Sequence, residues 1–279
     1  MMAGFADFWR VYRQNHGAVA GLVLLVLILI AALVGPELYP NDPFEMVGRP
    51  IREPFGEFPL GTDTLGRDIA SGLLHGARVS LLIGLIATAM ATLVGIVIGA
   101  IAGYYGGRID DLLMRATEFF LTIPSFMLAI LLVAVFSPTL TTIVAAIAAV
   151  SWPSVARLTR AEFLSLRDRE FVLAFRAMGM SEARIITRHI LPNALPSIVI
   201  IASLMVATAI LTESGLSFLG LGDPNHMTWG NMIGIGRTVM RRAWWMTAIP
   251  GVTILITVLA INLVGEGLND ALNPRLKVR

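Results

Sequence analysis

Five stretches of this 279-residue chain contain no Asp, Glu, Lys or Arg, and each is long enough to cross a lipid bilayer. They are residues 14–36, 79–107, 119–156, 189–212 and 243–265, with lengths of 23, 29, 38, 24 and 23 residues. A membrane-spanning helix needs about 20 apolar residues. Because the bilayer core offers no water to backbone N–H and C=O groups, such segments span it as helices. The pattern predicts an all-α polytopic membrane protein.

The third stretch is too long for a single span. As one helix, its 38 residues would reach about 57 Å, roughly twice the thickness of the hydrocarbon core. The sequence Ser137-Pro138-Thr139 lies near its centre and is typical of a turn. Division at this turn gives six transmembrane helices. Only 14% of the residues are charged, whereas soluble domains carry about 25%.

The distribution of basic residues predicts the topology. Six spans place both termini on one side, and with the N-terminus inside, 14 of the 21 Lys and Arg residues are cytoplasmic. Seven of them lie between the fourth and fifth spans: Arg157, Arg160, Arg167, Arg169, Arg176, Arg184 and Arg188. We therefore expect both termini in the cytoplasm. The first apolar run exceeds the roughly 7–15 residues of a signal peptide, so we expect it to be retained.

We divide the chain into two units. Residues 1–75 would comprise an N-terminal cytoplasmic segment, the first transmembrane helix and an extracytoplasmic loop. Residues 76–279 would form a five-helix core with a cytoplasmic loop at 157–190. The extracytoplasmic loop is rich in Pro and Gly, which predicts irregular chain. Within it, Asp63 is expected to cap a turn or to form a local salt bridge.

Aromatic and small residues predict how the helices meet the membrane surface and each other. Three tryptophans within or just after the second outer segment, 213–242, are expected to anchor the protein at the bilayer interface: Trp229, Trp244 and Trp245. Gly95, Gly99 and Gly103 recur every four residues, a spacing that allows two helices to approach closely. That approach would lie within the bundle or against a second membrane chain.

Several classes of protein are excluded or disfavoured. The chain has no cysteine, which excludes disulfides and thiolate metal sites, and its four histidines are scattered, so we expect no metal site. A net charge of +2 gives no argument for nucleic acid. No G-x-x-x-x-G-K-[ST] sequence occurs, and the only lysine is Lys277, so the chain lacks the common phosphate-binding loop. We expect no cofactor in this chain.

The cytoplasmic loop predicts a helix, a bend and a second helix. Its apolar residues recur at spacings of three and four and would form one stripe: Phe171, Leu173 or Ala174, Phe175 and Met178. Gly179 is placed to end the first helix in a left-handed conformation. Ser181 is expected to cap the second helix, with Glu182 in its first turn. An amphipathic helix of this kind lies on a lipid surface or fits an apolar groove of a soluble partner, and both uses stay open.

The loop resembles the cytoplasmic signature of ABC importer permeases, E-A-A-x3-G-x9-I-x-L-P. Four residues fall on the signature: Ala174, Gly179, Leu191 and Pro192. Three depart from it: Leu173 replaces the Glu, Phe175 the second Ala, and His189 the Ile. In that family the loop contacts the ATPase. The resemblance therefore implies an ATPase-coupling role for eight residues: Phe171, Leu173, Ala174, Phe175, Met178, Gly179, Leu191 and Pro192.

Five further segments resemble the C-type permease subunit of dipeptide, oligopeptide and nickel importers. They are FWRVYRQNHGAVAGL, LGTDTLGRD, GARVSLLIG, ESGLSFLGLG and LNDALNPR, at residues 8–22, 60–68, 76–84, 213–222 and 268–275. The resemblance implies the type I ABC importer permease fold, with a coupling helix between the fourth and fifth spans. It implies a heterodimer with a second permease, two ATP-binding subunits that hold ATP and Mg, an extracytoplasmic substrate-binding protein, and the bacterial inner membrane. Peptides are the implied cargo.

Two other functions are weighed against this one. An ion-coupled secondary transporter usually keeps an ionisable residue inside the membrane, and none interrupts the five runs. Glu118, Glu213 and Glu266 are expected at span ends, where they are solvated or pair helices. A receptor or scaffold subunit would leave the loop without a purpose. Among importers, a nickel chelate, glutathione or another small solute is the alternative to a peptide.

Overall fold

The computed structural model describes residues 2–272 and is helical almost throughout. The helices are α1 (Met2–Gln14), α2 (His16–Leu38), α3 (Ile69–Tyr105), α4 (Gly107–Thr122), α5 (Ser125–Phe136), α6 (Leu140–Arg167), α7 (Glu170–Ala177), α8 (Glu182–Ile185), α9 (Leu191–Phe218), α10 (Trp229–Gly236) and α11 (Trp245–Leu272). A π-helical turn (Ile186–Ile190) precedes α9, and a 3-10 turn (Arg237–Val239) follows α10. The all-α prediction is confirmed. Arg275, Lys277, Arg279 and the end of the LNDALNPR segment lie outside the described residues.

Five helical segments are long and apolar enough to cross a membrane, namely α2, α3, α6, α11 and the continuous stretch from α8 through α9. The pair α4 and α5 passes the same test together but is bent by 84°. Counted as one broken span, this pair gives the predicted six. The break between α4 and α5 lies at Ile123, which is extended, and at Pro124, which is the N-cap of α5. The predicted turn at Ser137-Pro138-Thr139 is confirmed, with Ser137 at φ +73°.

Helices α3 and α6 pack closely along the glycines of α3. A Cβ atom on Gly95 would lie 2.5 Å from Cβ of Val155, and one on Gly99 would overlap the carbonyl oxygen of Ala156. A Cβ on Gly103 would lie 2.7 Å from the carbonyl oxygen of Arg160. The predicted close approach therefore lies within the chain, against α6.

Helix α2 is held to α3 by an arginine that compensates for a proline. Pro36 has no N–H, so the carbonyl of Ala32, four residues earlier, loses its helical donor. Arg78 Nε donates to that oxygen at 2.7 Å, and its Nη2 donates to Leu33 O at 2.5 Å and to Glu37 Oε1 at 3.1 Å. Freed carbonyls in spanning helices need such partners, because lipid supplies none.

The segment between α2 and α3 is irregular, as predicted, but it is fixed by side-chain hydrogen bonds. Oδ1 of Asp63 accepts from the backbone N–H groups of Leu65 at 2.7 Å and Arg67 at 2.9 Å, which confirms the predicted turn. Asp68 caps α3 by accepting from Ala70 N–H at 2.9 Å. The Tyr39 hydroxyl also donates to Asp68, and this hydrogen bond raises the pKa of Tyr39 to about 12.

Two tryptophans expected at the bilayer interface are buried instead. Trp229 is 1% exposed, and its Nε1 donates to Leu73 O at 3.0 Å while its backbone N–H donates to Ser80 Oγ at 3.0 Å. Trp245 is buried as well, whereas Trp244 is 63% exposed. The outer segment folds back through α10 onto α3, α9 and α11. Its tryptophans fill the core that this creates.

Glu213 also departs from the prediction that it lies at a solvated span end. Helix α9 continues past it to Phe218, and the Glu213 side chain is 1% exposed. Its Oε1 accepts from Ser217 Oγ at 2.8 Å and from Thr228 Oγ1 at 2.7 Å. Thr228 caps α10 by accepting from Asn231 N–H. The carboxyl therefore joins the end of α9 to the start of α10.

We predict that Gly99→Ala lowers the free energy of unfolding by about 1–3 kcal/mol, because the new methyl group overlaps the α6 backbone. Thermal unfolding of the detergent-solubilised protein measures the effect. Gly251→Ala in α11 is the matched control, since a Cβ there meets nothing within 4 Å. It should be neutral or stabilise by up to about 1 kcal/mol. Equal melting temperatures for the two variants would contradict the close packing of α3 on α6.

A second prediction concerns pH and Asp223, which joins the outer segment to the start of α6. Its carboxylate accepts from Leu140 N–H at 2.8 Å, Asn225 N–H at 2.9 Å and His226 Nδ1 at 3.0 Å. Burial opposes ionisation of Asp223, but these hydrogen bonds outweigh it, and the pKa is lowered from its ordinary 3.8. The ionised carboxylate therefore stabilises the fold above that ordinary value. The contribution is lost as the pH falls through the lowered pKa.

We expect Asp223→Asn to reduce the free energy of unfolding at neutral pH by about 1.5–3 kcal/mol and to flatten the loss of stability in acid. Unfolding measured between neutral and strongly acidic pH checks both effects. Asp42→Asn is the control, because its carboxylate is exposed and accepts from one backbone N–H, that of Phe44. The prediction is wrong if Asp223→Asn keeps the full acid dependence of the native chain.

Candidate functional site

Helix α7 is held on the bundle by one fully buried side chain. Val172 lies in an apolar cluster with Tyr104 of α3, Phe163 of α6, Ile185 of α8 and Ile198 of α9. Four helices therefore fix the position of α7. Val172 is not among the residues predicted from the sequence, because the more apolar stripe through Phe171 and Met178 looks like the single apolar face of this helix. Val172 and Phe175, three residues apart, were the available signal for a second face.

The opposite side of α7 carries apolar side chains that nothing in the described chain covers. Phe171 is 37% exposed, Leu173 50% and Met178 68%. Ala174 is exposed beside them. The predicted stripe is therefore divided, with Phe171, Ala174 and Met178 facing outward and Phe175 half-buried. Leu173 adds a second exposed apolar position. We call Phe171, Leu173, Ala174 and Met178 the outer face of α7.

Phe175 and His189, two of the three residues that depart from the loop signature, are in contact with each other. Their ring centroids are 4.0 Å apart with the planes tilted by 30°. Phe171 adds an edge-to-face contact, with its centroid 6.4 Å from that of Phe175. In this chain a pair of rings in contact therefore joins α7 to the π-helical turn, at positions where the signature has Ala and Ile.

The bend after α7 is built around Gly179, as predicted. Its φ is +76°, a conformation that glycine adopts without steric cost. Gly179 N–H donates to Arg176 O at 2.9 Å and Met180 N–H to Phe175 O at 3.1 Å, the two bonds of a Schellman motif. A Cβ at residue 179 would meet no atom within 4 Å, so the constraint on this residue is the backbone conformation alone.

The second helix of the loop begins at the predicted place but without the predicted side-chain cap. Ser181 occupies the N-cap position, yet its hydroxyl makes no capping hydrogen bond. Its backbone carbonyl accepts from Arg184 and Ile185 N–H groups instead. Because Ser181 and Glu182 are exposed, water can satisfy the first N–H groups of α8, and a side-chain cap is not required.

A wider helical turn connects α8 to the spanning helix. Leu191 N–H donates to Ile186 O, five residues earlier, which makes residues 186–190 a π turn. Such a turn adapts the hydrogen-bond ladder where Pro192 supplies no N–H. Leu191 is half-buried against the cluster around Val172, and Pro192 lies in the first turn of α9. These two predicted residues therefore shape the start of α9, separate from the outer face of α7.

Arg176 links α7 to its neighbours on the inner side. Its guanidinium lies 5.1 Å from the ring centroid of Tyr104, at the end of α3. Its Nε is 3.9 Å from Glu182 Oε1 of α8. Arg169, Arg184 and Arg188 are exposed around the loop. The loop around α7 also exposes three acidic residues, Asp168, Glu170 and Glu182, so its charged residues are of both signs. Within residues 2–272, no three His, Asp or Glu side chains are grouped to hold a metal ion.

Comparison with known proteins identifies the fold and the family. The family model for the binding-protein-dependent transport system inner membrane component matches residues 95–278. A model for the N-terminal transmembrane domain of oligopeptide transport permease C matches residues 5–52. The di/tripeptide transport system permease protein DppC of Pseudomonas aeruginosa is 42% identical, over 97% of this chain and 92% of its own. The dipeptide transport permease DppC of Bacillus subtilis is 38% identical, over 97% and 86%.

Solved structures share the architecture at low sequence identity. The inward-facing MetNI methionine ABC transporter matches with a TM-score of 0.61 at 18% identity, over 72% of this chain and 96% of that chain. An amino acid ABC transporter crystallised with histidines matches with a TM-score of 0.55, also at 18% identity, over 71% and 92%. This chain therefore belongs to the family of binding-protein-dependent transport system inner-membrane components, the permease subunits of ABC importers, and has their type I fold.

Proposed function

We propose that this chain carries di- or oligopeptides across the membrane as one of two different permeases in an ATP-driven importer. Its family makes it a non-catalytic membrane subunit whose ATPases are separate chains. The outer face of α7 is the observation that carries the coupling role, because exposed Leu and Met side chains on an anchored cytoplasmic helix favour docking to a protein groove. The names of the relatives, di/tripeptide and dipeptide permeases, favour peptide as the cargo over a nickel chelate.

The packing beneath α7 suggests how movement at the ATPase reaches the pathway. Val172 is in one close-packed cluster with Tyr104, Phe163 and Ile198, which belong to three spanning helices. Close-packed side chains do not deform continuously, so displacement of α7 moves these helices as a group. In the proposed cycle, two partner ATPases bind ATP and Mg and close. Their closure shifts α7, and the permease pair alternates its opening between the two sides.

The proposed assembly adds an extracytoplasmic binding protein that delivers the peptide and places the complex in a bacterial inner membrane. Both termini are cytoplasmic in this arrangement, on the side of α7. The excess of basic residues on that side, 14 of 21, supports the orientation. Ion coupling without ATP is the rival. Glu213 is the buried carboxyl that such a mechanism would call on, but its side chain is only 1% exposed, so it has no contact with water on either side of the membrane in this structure.

Gly179→Val tests the coupling role. A β-branched residue at φ +76° costs about 1–2 kcal/mol, so the bend should open and displace α7 relative to the bundle. We expect membrane insertion and subunit assembly to persist while ATP hydrolysis no longer drives peptide uptake. Gly179→Asn is the matched control, since Asn tolerates the left-handed conformation, and it should retain most uptake. Normal peptide uptake by Gly179→Val would argue strongly against this role for the loop.

Crosslinking tests the partner of the outer face directly. A photoreactive residue in place of Ala174 should capture an ATPase subunit, because Ala174 lies among the exposed side chains of α7. The same residue in place of Ala116, exposed on α4, is the control and should not capture the ATPase. Mass spectrometry of the adducts identifies the partners. Capture of lipid alone from residue 174 would show that α7 lies on the membrane surface instead.

A further inference from the structure

A charged crevice lies between α4 and α6. A cavity of about 340 Å³ is lined by Asp111, Met114, Arg115, Glu118, Arg157 and Arg160. A second open space, between α6 and α9, shares Arg157 and Arg160 and is also lined by Ser154 and Ile201. We call these two adjoining spaces together the α4–α6 crevice. Its first cavity has the size of small-molecule sites, roughly 300–1,000 Å³.

One ion pair in the crevice is structural. Arg160 Nε lies 2.5 Å from Asp110 Oδ1, and its Nη2 lies 2.6 Å from Oδ2, so the pair is bidentate. Asp110 is buried. Such a pair fixes the angle between two helices because the guanidinium and carboxylate planes must align. Arg160 therefore holds α4 against α6, and its charge is compensated within the protein.

Four other charges at the crevice have no such partner. Asp111, Arg115, Glu118 and Arg157 are exposed, and none forms an ion pair within 4.0 Å among the described residues. Two are acidic and two are basic, so the crevice offers both signs of charge with no net excess. An unpaired guanidinium beside unpaired carboxylates is suited to a ligand that itself carries both charges.

The position of Arg157 places the crevice near the cytoplasmic end of α6, where the basic loop begins. Arg157 follows the first residue of α6, Leu140, by 17 positions and precedes its last residue, Arg167, by 10. At 1.5 Å per residue, these separations are about 26 Å and 15 Å. Asp111, Arg115 and Glu118 of α4 and Arg157 of α6 line the same space, and four charged side chains at this end of the helices belong beside water or protein, not lipid.

We propose that the α4–α6 crevice is a binding station for zwitterionic peptides near the cytoplasmic end of the pathway, an inference that rests on the proposed peptide function. Arg157 binds the C-terminal carboxylate, for which a guanidinium offers two parallel N–H donors. The carboxylates of Asp111 and Glu118 bind the N-terminal ammonium. The hydroxyl of Ser154, one helical turn before Arg157, lies at the side of the site. Arg160 positions the walls of the crevice and does not contact the peptide.

The absence of cysteine in this chain allows a direct test in the whole transporter. Ser154→Cys is introduced, and its modification by an anionic thiol reagent is followed in inside-out vesicles that carry all subunits. At about ten times the dissociation constant of dialanine, mass action predicts roughly tenfold slower modification. Ser165→Cys is the matched control, since Ser165 is exposed further along α6 and outside the crevice. Dialanine should leave its modification rate unchanged.

The substitution Arg157→Gln in the Ser154→Cys chain tests whether Arg157 binds the C-terminal carboxylate of the peptide. It should remove protection by dialanine and raise the KM for dialanine uptake, whereas Arg157→Lys should retain part of both. Arg108→Gln, an exposed charge on α4 outside the crevice, should change neither. Dialanine amide, which lacks the carboxylate, should protect the native crevice less than dialanine does. With Arg157→Gln this difference should vanish.

Three results would overturn the assignment. The first is no protection by dialanine, and the second is protection that survives Arg157→Gln. The third is a Ser154→Cys thiol that stays unreactive in every state, which would show that the second permease covers the crevice. If the native transporter imports dialanine but dialanine does not protect the Ser154→Cys thiol, the crevice assignment is wrong and the proposed peptide function stands. Failure of the native transporter to import dialanine or longer peptides would overturn the proposed peptide function itself.

Discussion

The close contact of α3 with α6 is the constraint on which the rest of the structure depends. Glycine at residues 95, 99 and 103 brings the two backbones within reach of each other. Toward the C-terminal ends of the same two helices, Tyr104 of α3 and Phe163 of α6 belong to the apolar cluster that contains Val172. Residues of α6 beside this contact also form one wall of the α4–α6 crevice. One helix pair therefore supports both the proposed cytoplasmic docking face and the proposed peptide site.

Features set by local chemistry could be predicted from the sequence. The end of α7 at Gly179 could be predicted because it depends only on the backbone conformation of that residue. The turn at Asp63 could be predicted because its carboxylate accepts from N–H groups only two and four residues away. The turn at residues 137–139 follows from length and from proline. The resemblance to a known loop signature located the candidate site as a whole. It did not show which side of α7 is free.

Features set by distant partners could not be predicted in the same way. Trp229 is buried because α10 folds back onto Leu73 and Ser80, more than 140 residues away in sequence. Glu213 follows an uncharged run, so it was placed at a span end, but its Oε1 accepts from Thr228, the N-cap residue of a different helix. Val172 looked like one apolar residue among several. Its role follows from the four helices that meet around it.

The contact between the rings of Phe175 and His189 has a consequence for the evolution of the loop. The family signature has small or aliphatic residues at both positions, and here both are replaced by rings that touch. The contact between the two rings forms only when both residues are present. We therefore expect residues 175 and 189 to change together among related proteins. A chimera that exchanges α7 alone between family members would separate the pair and leave one ring without its neighbour.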